Sequence, residues 1–205
     1  MDRSPLRLVV LGDSIAFGTG ATRIEDTLGR RLAAALTDDG FAVDLSVLAV
    51  PGAVSRDLAA QVRRAEPLNA DVAVVVIGAH DLARFVPPAQ AATSLGAAVT
   101  ALRATGADVV VVPAPDMSSV PFVPPAFRSA VRAASLLLQE HQTAAVEAAG
   151  GSMAAVHEVN VAFAGDPALF SADRFHPSSA GYAAIAEALT PAVLAAARAR
   201  RDAAA

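Results

Sequence analysis

The 205-residue chain carries a formal net charge of −4 and 54% hydrophobic residues, with no Cys and no Trp. That length suits one domain with a substantial core, and the apolar fraction excludes a largely disordered chain. Mild acidity without a basic block argues against a general nucleic-acid binder, and the lack of Cys excludes disulfides, Cys-ligated zinc, iron–sulfur clusters and a cysteine nucleophile.

In chain order, the first predicted element is the apolar run Leu6–Leu11, a strand that runs into Gly12-Asp13-Ser14. Ile24–Asp39 follows with helical spacing. Leu28, Leu32 and Leu36 fall on one face, and Gly40 supplies a C-terminal stop. Val43–Leu48 predicts a second strand and Ser55–Ala65 a helix. Val72–Ile77 predicts a third strand and Pro88–Thr105 a helix. Val109–Val112 predicts a fourth strand, and Pro125–Ala149 a long helix. Ser152–Val156 is a weaker fifth strand, and Ser178–Arg200 is a last helix with Ser178 as its N-cap. Short, β-branched, nearly continuous apolar runs fit strands buried on both faces of a parallel sheet.

This alternation predicts an α/β fold, a three-layer α/β/α sandwich with right-handed crossovers. No repeat or linker divides it, so residues 1–205 are expected to form a single domain, with about 198–205 a frayed Ala-rich tail. Two segments read as irregular: Pro113–Pro125, which holds five prolines, and Val159–Ser171, which holds Gly165, Asp166 and Pro167. Both follow strands, where ligands gather in parallel sheets. Leu6–Leu11 is too short for a secretory signal, and no window approaches about 20 apolar residues. The chain is therefore expected to be soluble and cytoplasmic, with no membrane span.

Four stretches carry chemistry-bearing residues. Gly12-Asp13-Ser14 sits where the first strand ends, with Ser14 at the sheet edge; alone it is as good a turn as a nucleophile. Neither a Gly-x-Gly-x-x-Gly nor a Walker Lys accompanies it, and the Gly-x-Ser-x-Gly elbow is absent. Gly52 follows the second strand and would let backbone approach a reacting carbonyl. Gly78-Ala79-His80-Asp81 follows the third strand and faces the crevice. Asp173-Arg174-Phe175-His176-Pro177 precedes the last helix. Its spacing lets a carboxylate accept from one imidazole nitrogen while the other faces a serine hydroxyl. The competing reading of that pair is a surface Asp–His contact capping the helix.

In order and placement these blocks resemble the SGNH hydrolases, the GDSL esterase/lipase family. Ser14 matches the nucleophile of that family and Gly52 the oxyanion-hole glycine. Asp173 and His176 match its acid and base. The resemblance implies a flavodoxin-like five-stranded parallel sheet. It also implies a serine esterase acting on a small-molecule ester through a Ser14–His176–Asp173 triad and an acyl-enzyme, with no cofactor and no metal. The oxyanion hole would be the N–H groups of Ser14 and Gly52 and, third, residue 80. One departure stands out: His80 occupies the place of the family's Asn. A neutral imidazole offers one N–H in place of the amide's, or the ring points away, or the protein is a catalytically weak or inactive binding relative. An acyltransferase using the same acyl-enzyme fits the same residues, and a flavodoxin-like phosphate binder using Gly12–Gly20 is a rival of another class.

Asp13 and Asp81 are expected to support the site by bonding loop backbone. Val120 and Phe122, in the proline-rich loop, suggest an acyl pocket wall or a lid; a loop packed on its own core is the equal alternative. His141 is expected to be solvated. His157 is expected at the end of the fifth strand with a structural role, and Arg174 to be exposed. Oligomeric state has no signature in the sequence.

Overall fold

The computed structural model describes residues 4–203. Five strands form one parallel sheet: β1 (Leu6–Gly12), β2 (Val43–Val47), β3 (Val72–Val76), β4 (Asp108–Val112) and β5 (Ser152–Met153). Their spatial order is β2-β1-β3-β4-β5. The register runs from Leu8 opposite Val72 to Gly12 opposite Val76, and on the other side from Leu6 opposite Val43 to Val10 opposite Val47. The chain leaves β1 in one direction to β2 and returns to β3 on the other side. A crevice therefore opens between the C-terminal ends of β1 and β3.

The helices are α1 (Ser14–Phe17), α2 (Leu28–Asp38), α3 (Leu58–Ala65), α4 (Ala79–Ala83), α5 (Pro88–Ala104), α6 (Pro125–Ala148), α7 (His157–Gly165) and α8 (Ser179–Ala203). Side-chain alternation along the strands makes the layers. Leu8, Val10, Val74, Val76 and Val110 face Leu28, Leu32 and Leu36 of α2 and Tyr182, Ile185, Leu189 and Val193 of α8. Val9, Leu11, Val75, Ile77 and Val111 face the opposite way, against Leu58, Val62, Leu95, Val99 and Leu102 of α3 and α5. The sequence-predicted three-layer α/β/α sandwich is the fold observed.

Several details differ from the sequence reading. The predicted helix Ile24–Asp39 splits into a 3-10 turn (Ile24–Asp26) and α2. The break comes where the Asp26 carboxylate is gripped by Arg23, Arg31 and the Ser179 hydroxyl. β2 is an edge strand, with Asp44 and Val47 exposed rather than buried on both faces. β5 is only two residues long, pairing with Val110 and Val111. His157 therefore begins α7 instead of ending a strand, and Val159–Ser171 is this helix plus a 3-10 turn at Pro167–Leu169.

The expected frayed tail is helical through Ala203, with Ala204 and Ala205 outside the described residues. It is fastened down: Arg198 pairs with Asp39, Arg200 with Asp71, and Arg201 lies over the Phe41 ring. Ser178 caps α8 by accepting from the Gly181 N–H at 3.2 Å. By length and composition α8 is apolar enough to cross a membrane, contrary to the sequence reading, but here one face of it closes the core against the sheet.

Candidate active site

Tight geometry brings the backbone of β1 to the site. Gly12 has φ +135°, and a Cβ there would lie 1.8 Å from the Val76 carbonyl oxygen, so only glycine lets β1 end this close to β3. The Gly12 N–H and carbonyl are both met by the buried Gln61 side chain, at 2.8 and 2.9 Å. Asp13 caps α1 by accepting from the Ile15 N–H at 2.9 Å, which puts Ser14 at the first helical position. Ser14 is 2% exposed.

Asp173 and His176 arrive on a tight loop just before α8. The Ser171 N–H donates to the His176 carbonyl and the Ser178 N–H to the Leu169 carbonyl, both at 2.8 Å, while Phe170 and Pro177 bridge as antiparallel neighbours. Within this loop Asp173 Oδ1 accepts from the N–H groups of Phe175 and His176 and from the Ser171 hydroxyl, at 2.9, 2.9 and 2.7 Å. That leaves Oδ2 to meet His176 Nδ1 at 2.6 Å. On the far side of the ring, Nε2 lies 2.9 Å from Ser14 Oγ. A carboxylate only accepts, so Nδ1 carries the proton and Nε2 is free to accept from the hydroxyl. Partial burial works to raise the Asp173 carboxyl, but the His176 imidazole and the surrounding N–H and O–H donors outweigh it. They hold it well below the usual carboxylate range.

The two other predicted blocks reach the same crevice. Gly52 turns at φ +83° in the loop after β2, which is tied to β1 by the Val50 N–H donating to the Gly12 carbonyl at 3.0 Å. His80 lies in the first turn of α4. Burial pushes its imidazole below its usual value, with the charges of Arg84 and His176 adding to the effect, so it is neutral at pH 7. Its Nδ1 is buried without a hydrogen-bond partner.

Asp81 is fully buried and accepts from the Ser55 N–H and hydroxyl, at 3.1 and 2.9 Å, which ties α4 to the loop after Gly52. Asp13 is likewise fully buried. Desolvation, opposed by backbone N–H groups and reinforced by Asp81, pushes its carboxyl up to about 7.

Phe175, which the sequence reading left without a role, orders the site. Its ring stands edge-on to His176 at 4.9 Å and to His80 at 6.1 Å, and it stacks on Phe122 at 5.8 Å. An apolar cleft of about 490 Å³, open to solvent, is walled by the chain neighbours of Ser14 and His176, Ile15 and Phe175, together with Val120, Phe163 and Phe170. Val120 is in the wall of this cleft, and Phe122 is not. It is 56% exposed and packs on the outer face of Phe175 instead. Phe163 and Phe170, in contact edge-to-face at 5.0 Å, come from the segment read as irregular. His141, His157 and Arg174 are exposed. Among the described residues no group of three or more His, Asp or Glu is placed to hold a metal ion.

This sheet order with this edge constellation defines the SGNH class of α/β proteins. The chain belongs to the GDSL-like Lipase/Acylhydrolase family, which matches residues 10–184. It is 35% identical over 189 residues to a GDSL-like esterase of Mycobacterium tuberculosis, covering 90% of this chain and 60% of that protein. The chain thus spans about 60% of the length of this curated relative.

Two solved structures share the fold. LAE5, an alpha/beta hydrolase enzyme from the metagenome of Lake Arreo, is 23% identical with a TM-score of 0.75, over 91% of this chain and 94% of that one. The psychrotrophic esterase EstA of Pseudoalteromonas sp. is 18% identical with a TM-score of 0.71, over 90% and 94% of the two chains.

Proposed function

We propose that this protein is a serine esterase that cleaves a small or lipid-like acyl ester through a covalent intermediate on Ser14. The observation that carries the reading is the unbroken hydrogen-bonded chain from Asp173 through His176 to Ser14, at 2.6 and 2.9 Å.

In the first step Ser14 Oγ attacks the ester carbonyl as its proton passes to His176 Nε2. Asp173 stabilises the imidazolium without taking its proton. The tetrahedral oxyanion draws on the N–H of Ser14, which has no acceptor within its own helix, and on that of Gly52. His80 is the third donor, in place of the family's Asn. His176 then gives the proton to the departing alcohol oxygen. In the second step water attacks the acyl-enzyme by the same route, restoring Ser14. The apolar cleft beside Ile15 takes the acyl chain, with Val120, Phe163 and Phe170 against it. The esterase names of the similar proteins support the same chemistry.

The test combines p-nitrophenyl butanoate hydrolysis with intact-mass detection of a fluorophosphonate adduct. The expected result is turnover and one adduct in wild type, with both lost in Ser14→Ala. A folded wild type that neither turns over the ester nor takes the label overturns the reading.

A further inference from the structure

We infer that Arg84 binds an anionic group on the alcohol half of the substrate, so that the ester cleaved at Ser14 joins an apolar acyl chain to a negatively charged alcohol. This rests on the proposed esterase reading and adds the chemistry of the substrate's second half.

Arg84 closes α4 and lies four residues after His80, one helical turn on. Its guanidinium stands beside Gly52: a Cβ placed on that glycine would come within 3.5 Å of Arg84 Nη2. That is ordinary contact distance, so the guanidinium sits against the backbone of Gly52, at the rim of the predicted oxyanion hole. The field of this cation reaches the site, since it helps keep His80 neutral. Arg84 is exposed, and no carboxylate among the described residues pairs with it. Among the described residues, every ion pair within 4.0 Å is made by another arginine or by His176.

Around Arg84 lies a second cleft, of about 520 Å³ open to solvent, bordered by Arg56, Phe85, Gln90 and Ser94. Arg56 supplies a second cation, whose nearest carboxylate, Asp57, is a distant 3.9 Å away. The one carboxylate in the cleft wall, Asp81, is already bound by Ser55. Phe85 forms an outer wall; it is 91% exposed at φ +53°, a conformation that costs a bulky residue energy and is held here by the backbone hydrogen bonds around it. Its N–H donates to the Leu82 carbonyl at 3.2 Å and the Val86 N–H to the Asp81 backbone carbonyl at 2.9 Å.

The two clefts differ in kind, and this assigns the halves of the substrate. The cleft beside Ile15 is apolar, and its one charged wall residue is Asp116; a charge on the acyl chain would be desolvated there and repelled. The cationic cleft shares Arg84 with the Gly52 edge of the site and is left for the alcohol. On acylation the Ser14 Oγ–acyl carbon bond forms, the carbon–oxygen bond to the alcohol breaks, and the alcohol departs with the His176 proton, still carrying its anion. Only water is consumed over the cycle.

The experiment compares two esters with one acyl chain, p-nitrophenyl butanoate and 3-carboxy-4-nitrophenyl butanoate, in wild type, Arg84→Gln, Arg84→Lys and the remote control Arg30→Gln. The readout is the ratio of kcat/KM for the anionic over the neutral ester. This ratio is expected to fall about tenfold in Arg84→Gln, mainly through KM, as for loss of one charge-assisted contact. Lys is expected to restore part of it and Arg30→Gln to leave it unchanged. Raising salt from about 50 to about 500 mM is expected to lower the wild-type ratio towards that of Arg84→Gln. An equal ratio in wild type and Arg84→Gln overturns the inference. If wild type cleaves neither ester, the esterase reading fails by itself. Equilibrium dialysis of 3-carboxy-4-nitrophenol then decides the anion site: weaker retention by Arg84→Gln upholds it, and equal retention overturns it.

Discussion

Asp13 should make this protein most stable in mild acid rather than at neutral pH. Its carboxyl is wholly buried, accepts one N–H through Oδ1, and leaves Oδ2 without a partner. Burial first, and Asp81 after it, push it from 3.8 up to about 7. Between these values the unfolded chain has released the proton that the folded chain still holds. Folding therefore binds protons, and stability falls as pH rises through the window, by about 1.4 kcal/mol per pH unit for one such group. From about pH 4.5 to about 7 the loss is roughly 3 kcal/mol. Asp81, also raised by burial, acts in the same direction. His80 opposes them below 6.5, because its lowered value makes the folded state resist protonation. The lowered carboxyls of Asp71 and Asp173 act only in stronger acid, below their ordinary 3.8.

The contribution of Asp13 is isolated by subtracting Asp13→Asn, whose amide does not titrate. Urea unfolding of both proteins at about pH 4.5, 5.5, 6.5 and 7.5 gives the difference in stability. Wild type should lose roughly 3 kcal/mol relative to the variant across the series. Parallel curves would refute the reasoning, since Asp13 would then ionise alike in the folded and unfolded chains. Below about pH 7 the same protonation keeps a negative charge from forming beside Ser14 as the oxyanion develops.

Two predictions concern the reaction. Asp173→Asn puts an amide where Oδ2 accepts from Nδ1, favours the tautomer with its proton on Nε2, and should lower kcat for p-nitrophenyl butanoate about 10⁴-fold with the fold retained by circular dichroism; an unchanged rate removes Asp173 from the relay. His80→Ala should lower kcat about 10²-fold, as expected for one oxyanion donor, and His80→Asn should recover most of it; equal rates in all three proteins would show that the ring does not serve the oxyanion.

The parts legible in the sequence are those written locally. Leu28, Leu32 and Leu36 are wholly buried in the structure, and a four-residue repeat announces that face. The pairing of Asp173 with His176 is carried by a three-residue step, and the structure brings their carboxylate and ring together at 2.6 Å. What was illegible depends on distant chain. α7 has no side-chain cap and no fully buried residue, and its Val159 and Phe163 gain meaning only where they meet Phe170 and Ile185 across the cleft. The apolar Ala154 and Val156 mimic a longer β5, yet they pack into the core with α8 while the strand pairing stops at Met153. Phe122 sits in an apolar loop, whereas the ring it stacks on is Phe175, far along the chain. Arg84 carries no pattern of its own; only the fold brings it to Gly52.

The glutamine at position 61, which clamps both backbone groups of Gly12, has a counterpart. Gln142 accepts from the Ala114 N–H at 2.8 Å and donates to the Ile77 carbonyl at 3.0 Å, also fully buried. Where neighbouring strands part company, these two amides finish the hydrogen bonding that a further residue of ladder would have supplied. The ends of β1, β3 and β4 are thereby sealed at Gly12 and within the first two residues of the loops that follow β3 and β4. The stretch beyond Ala114, such as 116–123, lies outside both clamps, so changes of length and chemistry there should leave the strand ends closed so long as both glutamines and Ala114 stay in place.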